Sequence, residues 1–384
     1  MASSLPGGLD VKLLKPLFLE VLTEGVEVRS PLLAQKIRIP LGLASRVLEL
    51  ADVPNIERDQ LDKELPRDLV RALEECGFLT DEEPKDVGYP WQHWGSIAWS
   101  FQSATENVRF LERGTEAMSQ WQADLEAESP PPPASLERRI TEGPTVWLPR
   151  ALSDPDVSYW HVLRQRRTHR QFLDEPMSLD QFASVMHATF GAQRFVDAHE
   201  LGVLELRAPV SGGARHETMA CVAVLNVQGL RPGLYIYSGI QHTLTWIAEC
   251  PSTDLLNSWT ANQGFFTNAA FGAFTVTDTA KMAWKYREAR AYRHMQQNVG
   301  AYAQVFSMTC EAMGLGAAIT GAITEAALEQ ALGLERPREI PMFALVAGFP
   351  VRGSQGMPPD VKVHGDAVHR FGEVDLARSV PHRS

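Results

Sequence analysis

Met219-Ala220-Cys221-Val222-Ala223-Val224-Leu225-Asn226-Val227 is nearly unbroken apolar sequence. A strand with one wet face alternates apolar and polar residues, whereas one covered on both faces does not. The stretch therefore predicts a central strand with cover on each side. Working outward, Gly233-Leu234-Tyr235-Ile236-Tyr237 follows a turn and reads as its partner. Ala270 to Thr277 and Met342 to Gly348 read as further buried strands. Ala289 to Met313 has the length and spacing of one long helix, with Gly300 as its weak point. Upstream, Ser178 is an N-cap with Gln181 at the capping-box position, and Phe182, Val185 and Met186 follow before Gly191. Tyr159 to Arg166 reads as a shorter helix. Strands separated by long helices predict an α+β fold, a three-layer sandwich.

At 384 residues the chain is long for a single core, so two domains are expected. Hydrophobic residues make up 44%, enough to bury such cores. The formal net charge of -11 repels nucleic acid and anionic membrane overall, which argues against either as a partner. No run of about eighteen apolar residues occurs to cross a membrane. Met1 to Gly8 lacks a basic region followed by an apolar core, so no signal peptide is expected and the protein is placed in the cytoplasm. Cys76, Cys221, Cys250 and Cys310 form no C-x-x-C pair and read as buried free thiols, and no metal site is expected.

Four consecutive prolines, Pro130 to Pro133, predict an extended spacer. Before them, Val26 to Arg29 and Lys36 to Ile39 alternate like half-buried strands. Leu43 to Leu50 and Arg67 to Cys76 have helical spacing, and Gly77 follows as a stop. This mixture predicts a small winged-helix-like domain at 1–85. A helical and proline-rich connector follows at 86–147, then the main domain at 148–355 and a tail at 356–384. Glu74 and Glu75 beside Arg67 and Arg71 suit phosphate contact poorly, so packing or peptide recognition is expected of the small domain rather than DNA binding.

Four stretches carry chemistry. Arg166, Arg167 and Arg170 flank Thr168 at a helix end, where guanidinium forks suit phosphate. A plain basic cap on the helix C-terminus is the other reading. Ser211-Gly212-Gly213 permits close backbone approach to a ligand, or is simply a turn. Gly314-Leu315-Gly316-Ala317 would let a flat ring lie against backbone, or is a helix C-cap. Lys285-Tyr286 offers a base and a weak acid, or is an exposed turn. Neither G-x-G-x-x-G nor G-x-x-x-x-G-K-[ST] occurs, so no Rossmann or P-loop phosphate site is supported.

In order and separation these stretches match a family. From Leu148 to Arg352 the chain resembles the SagB-type branch of the FMN-dependent nitroreductase family. The resemblance rests on Arg166-Arg167-Thr168-His169-Arg170-Gln171-Phe172, Ser178 to Phe182, and Ser211-Gly212-Gly213-Ala214-Arg215-His216. Gly229 to Tyr235, Gly314 to Gly321 and Ala347 to Arg352 extend it. Val210, Glu217 and Ala301 depart from the usual pattern.

The resemblance implies a tight homodimer with FMN at the subunit interface. It implies that Arg166, Arg167, Thr168, Arg170 and Arg352 hold the phosphate and ribityl chain. Ser211, Gly212, Gly213, Gln304, Gly316 and Ala317 would line the ring system. Lys285-Tyr286 matches the pair found in azoline dehydrogenases, which oxidise thiazoline or oxazoline rings in ribosomal peptides. Lys285 would remove the proton at ring carbon C4 while hydride passes from C5 to FMN, and Tyr286 would orient the base. Lys285 must then be partly neutral, which calls for desolvation or a second cation such as Arg287 or Arg290. A precursor peptide guided by its leader, and a cyclodehydratase, are the implied partners. Two other readings remain: an NAD(P)H-dependent flavin, nitro or dehydroamino acid reductase, and a non-catalytic scaffold of a peptide-modifying complex.

Overall fold

The structure is a computed structural model, and it describes residues 11–15, 17–30, 32–33, 36–81, 91–106, 115–127, 143–150, 155–197, 203–353, 356–359 and 361. The proline run and nearly all of the expected tail lie outside these residues. The chain divides into two compact units, Met1–Leu111 and Glu112–Ser384.

The first unit contains β1 (Lys12–Leu13), β2 (Phe18–Leu22), β3 (Gly25–Arg29), β4 (Lys36–Ile39), α1 (Leu41–Ala51), α2 (Arg58–Glu64), α3 (Arg67–Glu75), β5 (Leu79–Thr80) and α4 (Trp91–Glu106). The strands β2, β3 and β4 form an antiparallel sheet, while β1 pairs with β5. Val47, Leu50, Leu61, Val70, Leu73 and Phe78 share one core with the inward residues of these strands. This is the expected grouping of short helices and strands, and Gly77 ends α3 with φ +80°. One expectation fails at β3. As the central strand it is buried at its first four positions, including Glu27, which is accommodated by ion pairs with Lys36 and Arg29. Polar residues in a strand mark solvent only when nothing charged stands ready to neutralise them.

The second unit opens with α5 (Glu116–Ala127), β6 (Thr145–Trp147), α6 (Tyr159–Gln165), β7 (Phe172–Leu173), α7 (Leu179–Phe190), β8 (Arg194–Asp197) and β9 (Val203–Leu206). A short 3-10 turn at Gly212–Ala214 leads to β10 (Thr218–Val224), β11 (Gly233–Ser238), β12 (Thr243–Glu249), α8 (Thr253–Ser258) and β13 (Phe271–Asp278). Then come α9 (Thr279–Lys285), α10 (Ala291–Ala312), β14 (Gly316–Thr320), α11 (Glu325–Leu332) and β15 (Glu339–Pro350).

Among the described residues, eight strands form one antiparallel sheet in the order β14-β15-β13-β10-β11-β12-β6, with β7 also on β15. The opening stretch of sequence is its centre, buried at all seven positions of β10. Ala220, Val222 and Val224 face α7 and α10, where Phe182, Phe190, Tyr302 and Phe306 complete one core. Cys221 and Ala223 face the other way, against Leu256 of α8 and Leu328 of α11. Both faces are therefore helix-covered, and the fold is the expected three-layer α+β sandwich. Of the cysteines, Cys221 and Cys310 are buried, Cys76 and Cys250 are half-buried, and all are free. No described helix is long and apolar enough to cross a membrane.

The sheet sets where chemistry can occur. Thr218 of β10 pairs with Thr277 of β13, and Asp278 with Glu339 of β15. At the other end Val224 pairs with Phe271, Phe271 with Ala347, and Ala347 with Ala317. At ~3.4 Å per residue these ends stand roughly 20 Å apart.

Asp278 starts α9. It is fully buried, accepts from the Ala280 backbone N–H at 3.0 Å, and receives both Arg338 Nε and Nη2 at 3.0 Å. Asp278→Ala removes the cap and both bonds that the Arg338 guanidinium makes to this carboxylate. The expected loss is about 3 kcal/mol, read as a lowered Tm.

Candidate active site

One cluster lies at the Thr218 end of the sheet. The turn before β10 contains Gly213 at φ +59°, a conformation that favours glycine. Asp278 launches α9 so that Lys285 is its last residue, and Tyr286 leaves the helix with φ -116° and ψ 96°. Neighbours on a helix diverge by about 100°. Because Tyr286 is extended, both side chains instead reach the same turn. A Cβ built on Gly213 would lie 2.5 Å from the Tyr286 hydroxyl and 2.7 Å from Lys285 Nζ. The Tyr286 ring packs against Met282, Ala291 and Met295. Lys285 Nζ lies 5.6 Å from the centre of that ring.

Both groups are half-buried, and both are shifted toward neutrality. Burial, then the neighbouring Arg215 cation, hold the Lys285 amine below the usual lysine range. Burial pushes the Tyr286 phenol up, against the pull of Arg215. Desolvation is thus the larger of the two expected causes, and the cation that adds to it is Arg215, from the turn before β10. Arg287 is exposed, and neither it nor Arg290 accounts for the Lys285 shift.

Behind the turn is a buried polar network. Glu217 is fully buried, accepting from Ser211 Oγ at 3.0 Å and from Asn298 Nδ2 at 2.8 Å. Ser211 Oγ also accepts from the His216 backbone N–H at 3.0 Å. His216 Nδ1 shares a 2.9 Å hydrogen bond with Tyr302 in α10, and burial holds the imidazole down at about 4, neutral at ordinary pH. The turn is therefore tied to α10 by side-chain bonds rather than left as a free loop.

The second cluster lies at the other end. Thr168 bridges Ala317, and the His169 backbone N–H donates to the Ala317 carbonyl at 2.9 Å. Val351 N–H donates to the Gln171 carbonyl at 3.0 Å, which sets Arg352 beside the same segment. A Cβ on Gly316 would meet Pro350 Cβ at 2.7 Å and His169 Cβ at 2.9 Å, so only glycine lets the three segments close. Arg166, Thr168, Arg170, Gly316, Ala317 and Arg352 are thereby gathered on one short backbone ladder. Arg167 has turned back to cap its own helix, donating to the carbonyls of Arg164 and Arg166 at 2.9 and 2.7 Å. Gln304 is exposed on α10.

Within one chain the two clusters stand at opposite ends of the sheet. Ser211, Gly212 and Gly213 join Lys285 and Tyr286 at one end, and the arginine set joins Gly316 and Ala317 at the other. Arg215, Glu217 and Asn298 complete the first cluster, a role the sequence assigned to none of them. Among the described residues, no three His, Cys, Asp or Glu side chains are grouped to hold a metal ion.

Residues 163–349 match the family model described as Nitroreductase family. The second unit has a nitroreductase-like fold. A Methanocaldococcus jannaschii protein named as a nitroreductase is 23% identical over 193 residues, covering 50% of this chain and 91% of its own. A nitroreductase structure from Ralstonia eutropha has TM-score 0.46 and 22% identity, over 56% of this chain and 92% of its own. A structure of the Escherichia coli microcin synthetase McbBCD complex with truncated pro-MccB17 bound has TM-score 0.42 and 18% identity, over 61% and 94% of the two chains. FMN is the typical cofactor of the nitroreductase family.

Proposed function

We propose that the protein is an FMN-dependent dehydrogenase that oxidises thiazoline or oxazoline rings to azoles in a ribosomally made peptide. The observation that carries this reading is the convergence of Lys285 Nζ and Tyr286 OH on Gly213. An amine whose proton affinity is lowered and, beside it, a phenol whose proton is held more tightly are the base and the donor that removal of a ring proton calls for.

The arginine ladder fits the phosphate of FMN. Its donor set is guanidinium from either side of one backbone bridge, with Thr168 at the bridge itself. FMN, when bound, supplies the two-electron acceptor for the oxidation. Lys285 takes the proton from ring carbon C4, and the Tyr286 hydroxyl steadies charge as it develops. Half-burial of both limits competition from water.

A cofactor touched by both clusters needs two copies of the chain, because one copy holds them roughly 20 Å apart. In this reading a homodimer holds FMN between its subunits. The N-terminal unit then serves as a leader-recognition module, with a cyclodehydratase supplying the azoline. Mixing subunits tests this. Lys285→Ala chains and Arg166→Ala/Arg170→Ala chains are each expected to fail on an azoline peptide. Mixed dimers regain part of the activity, read as product lighter by two hydrogens. No recovery in verified mixed dimers rejects the shared site, and an inactive wild-type protein that retains FMN rejects azoline oxidation.

A further inference from the structure

The geometry points to Arg215 as a positioning residue that clamps the Lys285–Tyr286 pair from both flanks and sets a fixed positive charge beside the Lys285 amine. The inference rests on the proposed role of Lys285.

Arg215 is only 6% exposed. Its Nε donates to the Gly213 carbonyl at 3.2 Å, on the residue whose Cα faces the two functional groups. Its guanidinium carbon lies 5.2 Å from the centre of the Trp284 ring, in cation–π contact with the residue immediately before Lys285. One side chain thus grips both the turn and the end of α9. A long cation seldom buries itself unless it is held, and here a carbonyl and an aromatic face hold it.

The charges around Lys285 sort themselves so that Arg215 dominates. On α9, Lys281 turns to the His216 carbonyl at 3.5 Å and to Glu205 of β9 at 3.9 Å. At the end of β13, Asp278 is taken by Arg338. Glu217, two residues from Arg215, has its oxygens on Ser211 and Asn298, and it favours the Arg215 charge from there. From the start of α10, Arg290, Arg293 and His294 are half-buried, and they add no negative charge. A fixed cation beside an amine disfavours a second proton, which is the direction found for Lys285. Arg215 also lowers the phenol, but burial outweighs it and Tyr286 keeps its proton.

The test uses the dimeric, FMN-loaded protein and two readouts. One is the pH midpoint for labelling of Lys285 by an amine-reactive reagent, read by mass spectrometry. The other is the pH profile of kcat/KM on an azoline peptide. Arg215→Gln keeps a donor for the Gly213 carbonyl but removes the charge. Both midpoints are expected to move to higher pH, with the rate at neutral pH falling about tenfold. Arg215→Lys restores most of the shift. An unchanged labelling midpoint in Arg215→Gln overturns the inference. A labelling midpoint that moves while the activity profile stays put upholds Arg215 and removes Lys285 from catalysis. Should Arg215→Gln fail to fold, Trp284→Leu reads the same contact. Releasing the guanidinium raises the labelling midpoint, and no change there overturns the inference equally.

Discussion

Lys285→Ala is expected to lower azole formation by about 10³-fold while the protein stays yellow and dimeric. A positioned base contributes about 10²–10⁴ to such a step, and nothing else in the cluster replaces it. The Tyr286 phenol is pushed above its usual range, so it is a poor base at working pH. Lys281 is committed to Glu205 and the His216 carbonyl. The arginine ladder at the far end of the sheet is untouched, so cofactor retention should not change. Small primary amines added to the variant should restore part of the rate. Full activity in the variant removes the amine from the mechanism.

The second large effect is expected from Gly213→Ala. The new Cβ would need the space now held by Tyr286 OH at 2.5 Å and Lys285 Nζ at 2.7 Å. Both are side-chain ends and can move, so the fold survives. The φ of +59° adds strain of about 1 kcal/mol. Moving two reacting groups by an ångström costs far more in rate, about 10²-fold. A small Tm loss with a large kcat loss is therefore the expected signature. Gly212→Ala is the milder comparison, because its Cβ would meet the Met282 methyl at 3.4 Å. Equal activity losses in the two variants contradict the placement of the pair.

Much of the fold was legible because burial on both faces leaves a plain signal. The apolar run of β10, its partner β11 and the long α10 read directly, and the Ser178–Gln181 capping box forms as its residues demand. Other elements hid for physical reasons. β14 is Gly316-Ala317-Ala318-Ile319-Thr320, too small in its side chains to alternate, and it passes for a helix end. Gly314 does end the helix, at φ +73°, but Gly316 belongs to the strand. The three-residue edge strand β6 is exposed throughout and offers no period.

At the site, the Lys-Tyr pair and the Ser-Gly-Gly turn were named from sequence, but what joins them was not. Arg215 acts across the gap between β10 and α9, and Asn298 reaches Glu217 from α10, contacts that only tertiary packing creates. Arg287 and Arg290 were the nearest cations in sequence to Lys285. The cation that adds to burial in lowering its proton affinity comes from seventy residues upstream. Arg167 illustrates the converse. It sits within the arginine box, yet its guanidinium serves the carbonyls of its own helix.

The most direct test of the central claim is anaerobic mixing of the purified, FMN-loaded protein with an azoline-containing peptide, followed by absorbance. Loss of the yellow colour on mixing, with azole appearing in equal amount and NAD(P)H not required, is the predicted result. A flavin that stays yellow with the peptide but bleaches with NADPH alone would contradict the account and make the protein a reductase.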